Sequence, residues 1–265
     1  MTPAKLYAQL GLADAPLIVD VRCEPHGERG RVMIPGALLG EPEQVAVWSA
    51  PLPRTRRIVT IGEHADDNAP AVAATLSALG FQANALHGGL EGWLACGYPT
   101  VRIRRELRAP GGSRWITRER PKIDRLACPW LIRRFIDPYA LFFYVPAHSV
   151  RTEAEPLGAE PYDIADVRFS HRGSRCSFDA FLEEFELDDP AVNAVADIVR
   201  AADTARLEES REAPGLLAIS LGLSATITDD LLLLEQAMPL YDALYAWCKT
   251  ARHETHSWPQ QAATY

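Results

Sequence analysis

The chain has no window of 18 consecutive apolar residues, so nothing in it predicts a membrane-spanning helix. Its first residues, Met1-Thr2-Pro3-Ala4-Lys5-Leu6-Tyr7, lack the long apolar stretch of a secretory leader. Cysteine is scarce: there are five, an odd number, with no C-x-x-C pair. That excludes a disulfide framework and the common zinc-ribbon and thioredoxin-like spacings. The metalloprotease spacing H-E-x-x-H and the pair H-x-x-x-H are absent as well. Low-complexity tracts, internal repeats and a helix-turn-helix pattern are also missing. What remains is a globular composition, 48% hydrophobic and 23% charged over 265 residues. At about 150 residues per domain this length accommodates two domains. The expectation is a reduced, cytoplasmic protein with no membrane partner.

The net charge of −8 argues against a wholesale nucleic-acid binder. The average conceals an asymmetry. Between Arg102 and Arg134 there are eleven basic residues against three acids, a local charge of +8. The other 232 residues carry −16. Ten of the eleven are arginines, the side chain suited to forked recognition of oxyanions.

Strand and helix signals alternate over the first hundred residues. Leu17-Ile18-Val19-Asp20-Val21 and Arg57-Ile58-Val59-Thr60-Ile61 are short apolar runs of buried-strand type, and residues 82–86 suggest a third. Between the last two, residues 69–79 read as a helix opened by Pro70 and stopped by Gly80. This order predicts an α/β domain over 1–100, a parallel sheet with helices on both faces. A basic linker over 101–113 includes the turn cluster Ala109-Pro110-Gly111-Gly112-Ser113. Residues 114–252 read as a helix-rich α+β domain, and 253–265 as a frayed tail. Within that domain Ile123, Leu126, Ala127, Trp130, Leu131 and Phe135 form one helical stripe, with Pro129 predicting a kink or a restart. A strand is expected over 140–145, and helices after Ser177, after Asp189-Pro190 and after Thr228-Asp229-Asp230. Trp115, Trp130, Tyr241, Tyr245 and Trp247 have core spacing.

Three blocks of the first half, Asp20-Val21-Arg22, Ile34-Pro35-Gly36-Ala37 and Leu86-His87-Gly88-Gly89-Leu90-Glu91-Gly92-Trp93, together resemble a rhodanese domain. That resemblance implies a nucleophilic cysteine at the end of the strand Ile58–Ile61, where backbone N–H groups stabilise a thiolate. This sequence has Gly62 there, followed by Glu63, His64, Asp66 and Asp67, and carboxylates repel anionic sulfur donors. Cys23 and Cys96 stand elsewhere. The expectation is a degenerate loop in a catalytically silent domain, kept for packing or for a protein partner.

The second half resembles the chromate-resistance protein ChrB family. The run from Trp115 to Asp137 carries the likeness, with Ser170-His171-Arg172-Gly173, Cys176-Ser177-Phe178, Ala201-Ala202-Asp203-Thr204, residues 215–223 and Tyr241 to Cys248. The resemblance implies a sensor or regulator acting with a chromate efflux system. Chromate is a tetrahedral dianion like sulfate, and a site for it needs forked cations and free N–H groups. Arg118, Arg120, Lys122, Arg125 and Arg133 are the candidate oxyanion residues. Arg133 lies opposite Trp130 and Leu131 on the helix and is expected to face solvent. A solvated or inter-domain basic face stands as the plain alternative, and DNA as a weaker one. Cys128 is the candidate reactive thiol, since it would cap a helix restarted at Pro129. His171, Cys176, Asp197 and Asp203 are the candidate metal ligands, or else a hydrogen-bonded His171 with Asp203 capping or pairing with an arginine. No cofactor other than such a metal ion is expected. The reading is an oxyanion-responsive regulator. Its alternative is an enzyme: a sulfurtransferase, a thiol-based chromate reductase, or a metal-dependent activity around His171.

Overall fold

The computed structural model describes residues 1–22, 31–64, 68–109 and 111–254. Cys23, Asp66, Asp67, Pro110 and the tail from 255 onward lie outside the described residues. The helices of the first half are α1 (Pro3–Gln9), α2 (Val45–Ser49), α3 (Ala69–Ala78) and α4 (Gly89–Ala95). Its strands are β1 (Leu17–Asp20), β2 (Val32–Met33), β3 (Ala37–Leu39), β4 (Ile58–Ile61), β5 (Ala83–Ala85) and β6 (Val101–Arg102). Four of them form a parallel sheet in the order β3-β1-β4-β5. Side chains alternate between its faces. Ile18, Val59 and Ile61 enter one core cluster, while Leu17, Val19 and Ile58 enter another with Val45, Val72 and Leu76 of α2 and α3. Both faces are therefore covered, as a parallel sheet requires.

The second half begins with β7 (Arg114–Arg118) and α5 (Asp124–Leu131). Then come β8 (Leu141–Val145), α6 (Val150–Leu157) and β9 (Glu160–Pro161). The chain ends in α7 (Ser177–Phe185), α8 (Pro190–Asp203), α9 (Ala213–Thr226) and α10 (Asp230–Ala246). A second parallel sheet has the order β8-β7-β9. The helix does not restart at Pro129. It runs through the proline and then widens into a π-turn over residues 132–136, closed by the Asp137 amide donating to the Ile132 carbonyl at 2.8 Å. Pro129 has no N–H to offer the Arg125 carbonyl, which instead accepts the Tyr162 hydroxyl at 3.3 Å. Cys128 is consequently an interior helical residue and not an N-cap.

One core joins the halves. Leu6, Leu10 and Trp93 lie in the same buried cluster as Trp115, Trp130, Phe135, Tyr241 and Tyr245. Trp247, at the end of that aromatic set, packs against it only partly buried. The Gly36 amide donates to the Phe135 carbonyl at 2.5 Å, and the Tyr7 hydroxyl to Asp189 at 2.8 Å. Gly11, at φ +77°, sits against the rings of Phe135 and Tyr245, where a Cβ would fall 2.4 Å from Phe135. The basic segment between the halves is bound down: Arg104 donates to the Glu184 carbonyl and carboxylate at 2.6 Å each.

Candidate functional site

Four chain segments bring a histidine and three aspartates together. Asp124 is the first residue of α5, where the helix N-terminus favours a carboxylate. The preceding Ile123 has φ 42° and ψ −105°, costly for a β-branched residue. It is held there from both sides: its amide donates to Ser220 Oγ at 2.8 Å, and its carbonyl accepts the Tyr241 hydroxyl at 2.7 Å. Asp163 follows β9 at φ 51°. Asp203 ends α8, and His171 stands in the segment before α7.

His171 Nε2 lies 3.3 Å from Asp124 Oδ2, 3.4 Å from Asp163 Oδ1 and 3.2 Å from Asp203 Oδ2. Asp124 is 2% exposed and Asp163 4%, whereas the His171 side chain is 41% exposed. Ser177 anchors the floor, its amide donating to Asp124 at 3.2 Å and its hydroxyl to Asp163 at 2.8 Å. Arg118 Nη2 and Arg125 Nε reach Asp163 Oδ2 at 2.9 and 3.1 Å. Arg118, Asp163, Asp166, Ser170 and His171 line an open cleft of about 620 Å³.

The electrostatics follow from this packing. The carboxylates of Asp124 and Asp163 raise the pKa of His171 to about 10. Burial, with Asp124 and Asp163 adding to it, pushes Asp203 up to about 8. Burial and then Asp163 likewise raise Asp124. Burial also acts on Asp163, but His171, Ser177 and Arg118 outweigh it and hold that carboxyl below its ordinary range.

The residues predicted from sequence divide accordingly. Among the oxyanion candidates, Arg118 and Arg125 are drawn to Asp163. Arg120 donates to the carbonyls of Ser224 and Ile227, and Lys122 is exposed. Arg133 departs from the expected solvent-facing position. Its side chain is 21% exposed, stacks over Phe142 and pairs with Glu235 at 2.6 Å, because α10 packs across it. Arg118 and Arg125 thus share Asp163, while Arg120 and Arg133 serve other partners. Among the metal candidates, His171 and Asp203 meet. Asp197 is 68% exposed and bonded to Arg200. Cys176 caps α7, and burial followed by Asp124 raises its thiol pKa. Cys128 is fully buried, and burial followed by Asp124 pushes its thiol well above its ordinary value, opposite to the activation that a helix N-terminus would supply.

Sequence reasoning missed Asp124 and Asp163 as site residues. Asp124 carried a signal: it falls one helical turn before Ala127 and Cys128, on the apolar stripe of α5, where an acid has to be partnered. Asp163 sits in irregular chain and carried none. At the degenerate rhodanese loop, the amides of Leu90 and Glu91 donate to the carbonyls of Gly62 and Glu63 at 2.9 and 3.1 Å. His64 Nδ1 lies 2.8 Å from Glu91. No thiol occupies position 62.

A family model for the rhodanese-like domain matches residues 2–96. Solved structures similar to this chain include a rhodanese-related protein from Thermoplasma volcanium, 22% identical, covering 38% of this chain and 95% of that one at a TM-score of 0.32. A rhodanese-like domain protein from Staphylococcus aureus is 22% identical, covering 35% and 88% at a TM-score of 0.31. Protein ChrB from Cupriavidus metallidurans is 33% identical over 150 residues, which are 56% of this chain and 45% of that protein. The chain therefore spans less than half of that curated relative. The family model for the ChrB C-terminal domain matches residues 115–248, half of the chain and all four residues of the histidine–aspartate cluster. By that match the chain belongs to the ChrB C-terminal domain family.

Proposed function

We propose that this chain serves in bacterial chromate resistance as a cytoplasmic, oxyanion-responsive regulator working alongside an efflux transporter. The observation that carries the reading is the position of the cleft, which lies wholly within the segment matching the ChrB C-terminal domain. Arg118 and His171 put two cationic groups on its wall. Both lean on Asp163, so an entering dianion exchanges an acidic partner for itself. Such an exchange favours a compact, doubly charged oxyanion over a monoanion.

The other chemistries have less support. Sulfur transfer lacks its nucleophile at Gly62. A thiol-based reductase through Cys128 lacks an accessible thiolate. Thermal melting in low salt tests the oxyanion reading. Millimolar chromate or sulfate should raise the midpoint progressively with concentration, and Arg118→Ala should abolish the rise. An unchanged midpoint at millimolar chromate removes it.

A further inference from the structure

We propose that Asp124, Asp163 and His171, joined by Asp203, bind a divalent cation of the Mn²⁺, Fe²⁺ or Zn²⁺ kind. The site shares Asp163 and His171 with the proposed oxyanion cleft, and metal binding is tested apart from any response to chromate. Its first support is spacing. Ligand atoms about 2.0–2.2 Å from one ion stand roughly 3.0–3.5 Å apart around a tetrahedron or octahedron. The three carboxylate oxygens stand 3.2, 3.3 and 3.4 Å from His171 Nε2. One ligand atom from each of Asp124, Asp163 and His171 lies within 4.8 Å of the others.

The second support is the crowding of acceptors around one ring nitrogen. Nε2 carries at most one N–H, yet three carboxylates surround it, none at the roughly 2.7–2.9 Å of a charge-assisted hydrogen bond. One proton cannot serve three acceptors, whereas one cation can.

The third support is charge. Arg118 and Arg125 are spent on Asp163. Among the described residues no arginine or lysine pairs with Asp124 or Asp203, which leaves two largely covered carboxylates to one imidazole. A dication supplies the missing positive charge, and burial makes that charge worth more than it would be in water.

The donor set names the metal class. Oxygen from aspartate with a single imidazole suits hard to borderline divalent ions, and no thiolate is available to select a soft one. Cys128 and Cys176 are both buried with raised pKa values. His171 and Asp163 face the cleft, so an ion held here is reached from solvent on that side.

The full chain, stripped with chelator and titrated with Mn²⁺ or Zn²⁺ in chromate-free buffer, provides the test. One equivalent should bind, with Mn²⁺ losing its free-ion paramagnetic resonance signal and with the melting midpoint rising. Asp124→Asn and His171→Ala should each weaken binding at least tenfold, while Asp197→Asn, on the exposed side of α8, should bind as the parent does. His171 is partly exposed, so its variant keeps the readout available if Asp124→Asn fails to fold. Absence of stoichiometric binding by the parent would overturn the site. So would parental affinity in His171→Ala, or an Asp124→Asn protein that is stabilised yet binds metal unchanged, the mark of a proton shared between carboxyls. Metal binding without any chromate shift would sink only the regulatory reading.

Discussion

At the residue scale the molecule is marked by where it hides acids and thiols. Asp124, Asp163, Asp179 and Asp189 are all buried, and each is accounted for by named donors or by the histidine cluster. The thiols contrast with one another: Cys96 is exposed, whereas Cys128 and Cys176 are buried. Thiolate fraction and access set alkylation rates. Iodoacetamide should therefore label Cys96 of the native chain within minutes and leave Cys128 and Cys176 unlabelled until denaturant is added, as peptide mass spectrometry can follow. Rapid native labelling of Cys128 would return it to the list of reactive groups.

At the element scale, two devices set the geometry of the site. Pro129 inside α5 frees the Arg125 carbonyl for Tyr162, which ties the helix to the segment carrying Asp163. Asp189 caps α8, accepting from the amides of Ala191 and Val192 at 3.0 Å each, and also takes the Tyr7 hydroxyl of α1. Asp189→Ala should therefore cost about 2 kcal/mol, a cap together with a buried hydrogen bond, measurable by urea denaturation. A loss no larger than about 0.5 kcal/mol, typical of a plain surface change, would show the contact with Tyr7 to be incidental. The caps of α8 and α10 and strands β1, β4 and β5 of the first sheet were legible because short-range rules write them, whereas the short edge strand β3 was not. Nor was helix α9. Its sequence Ala213–Thr226 is apolar nearly all round, with Ile219 and Leu221 exposed, so it carries no stripe to betray its period.

At the scale of the whole molecule the two halves share one hydrophobic cluster, from Leu6 and Trp93 to Trp130 and Tyr245. Cutting between them would expose these large side chains, each worth about 2–3 kcal/mol when buried. Differential calorimetry of the full chain should accordingly give a single cooperative transition, and residues 1–100 expressed alone should melt well below it. Two separate transitions would mean that the shared cluster contributes little.

Composition, turn residues and hydrophobic period suffice for the α/β first half and the helix-rich second half, while the rhodanese resemblance marks Gly62 as the position without a cysteine. These rest on local chemistry within a few residues. They also place His171 and Asp203 among the candidates, and they flag the +8 segment. Tertiary structure alone decided where those charges went. The arginines were spent on Asp163, Glu184, Glu235 and backbone carbonyls rather than on a common anion. Asp124 and Asp163, 39 positions apart in sequence, were brought to His171 by the packing of α5 beside α7 and by the turn after β9. Charge along a chain is a local sum, but the partner of each charge is a three-dimensional choice, set by which elements the core forces together.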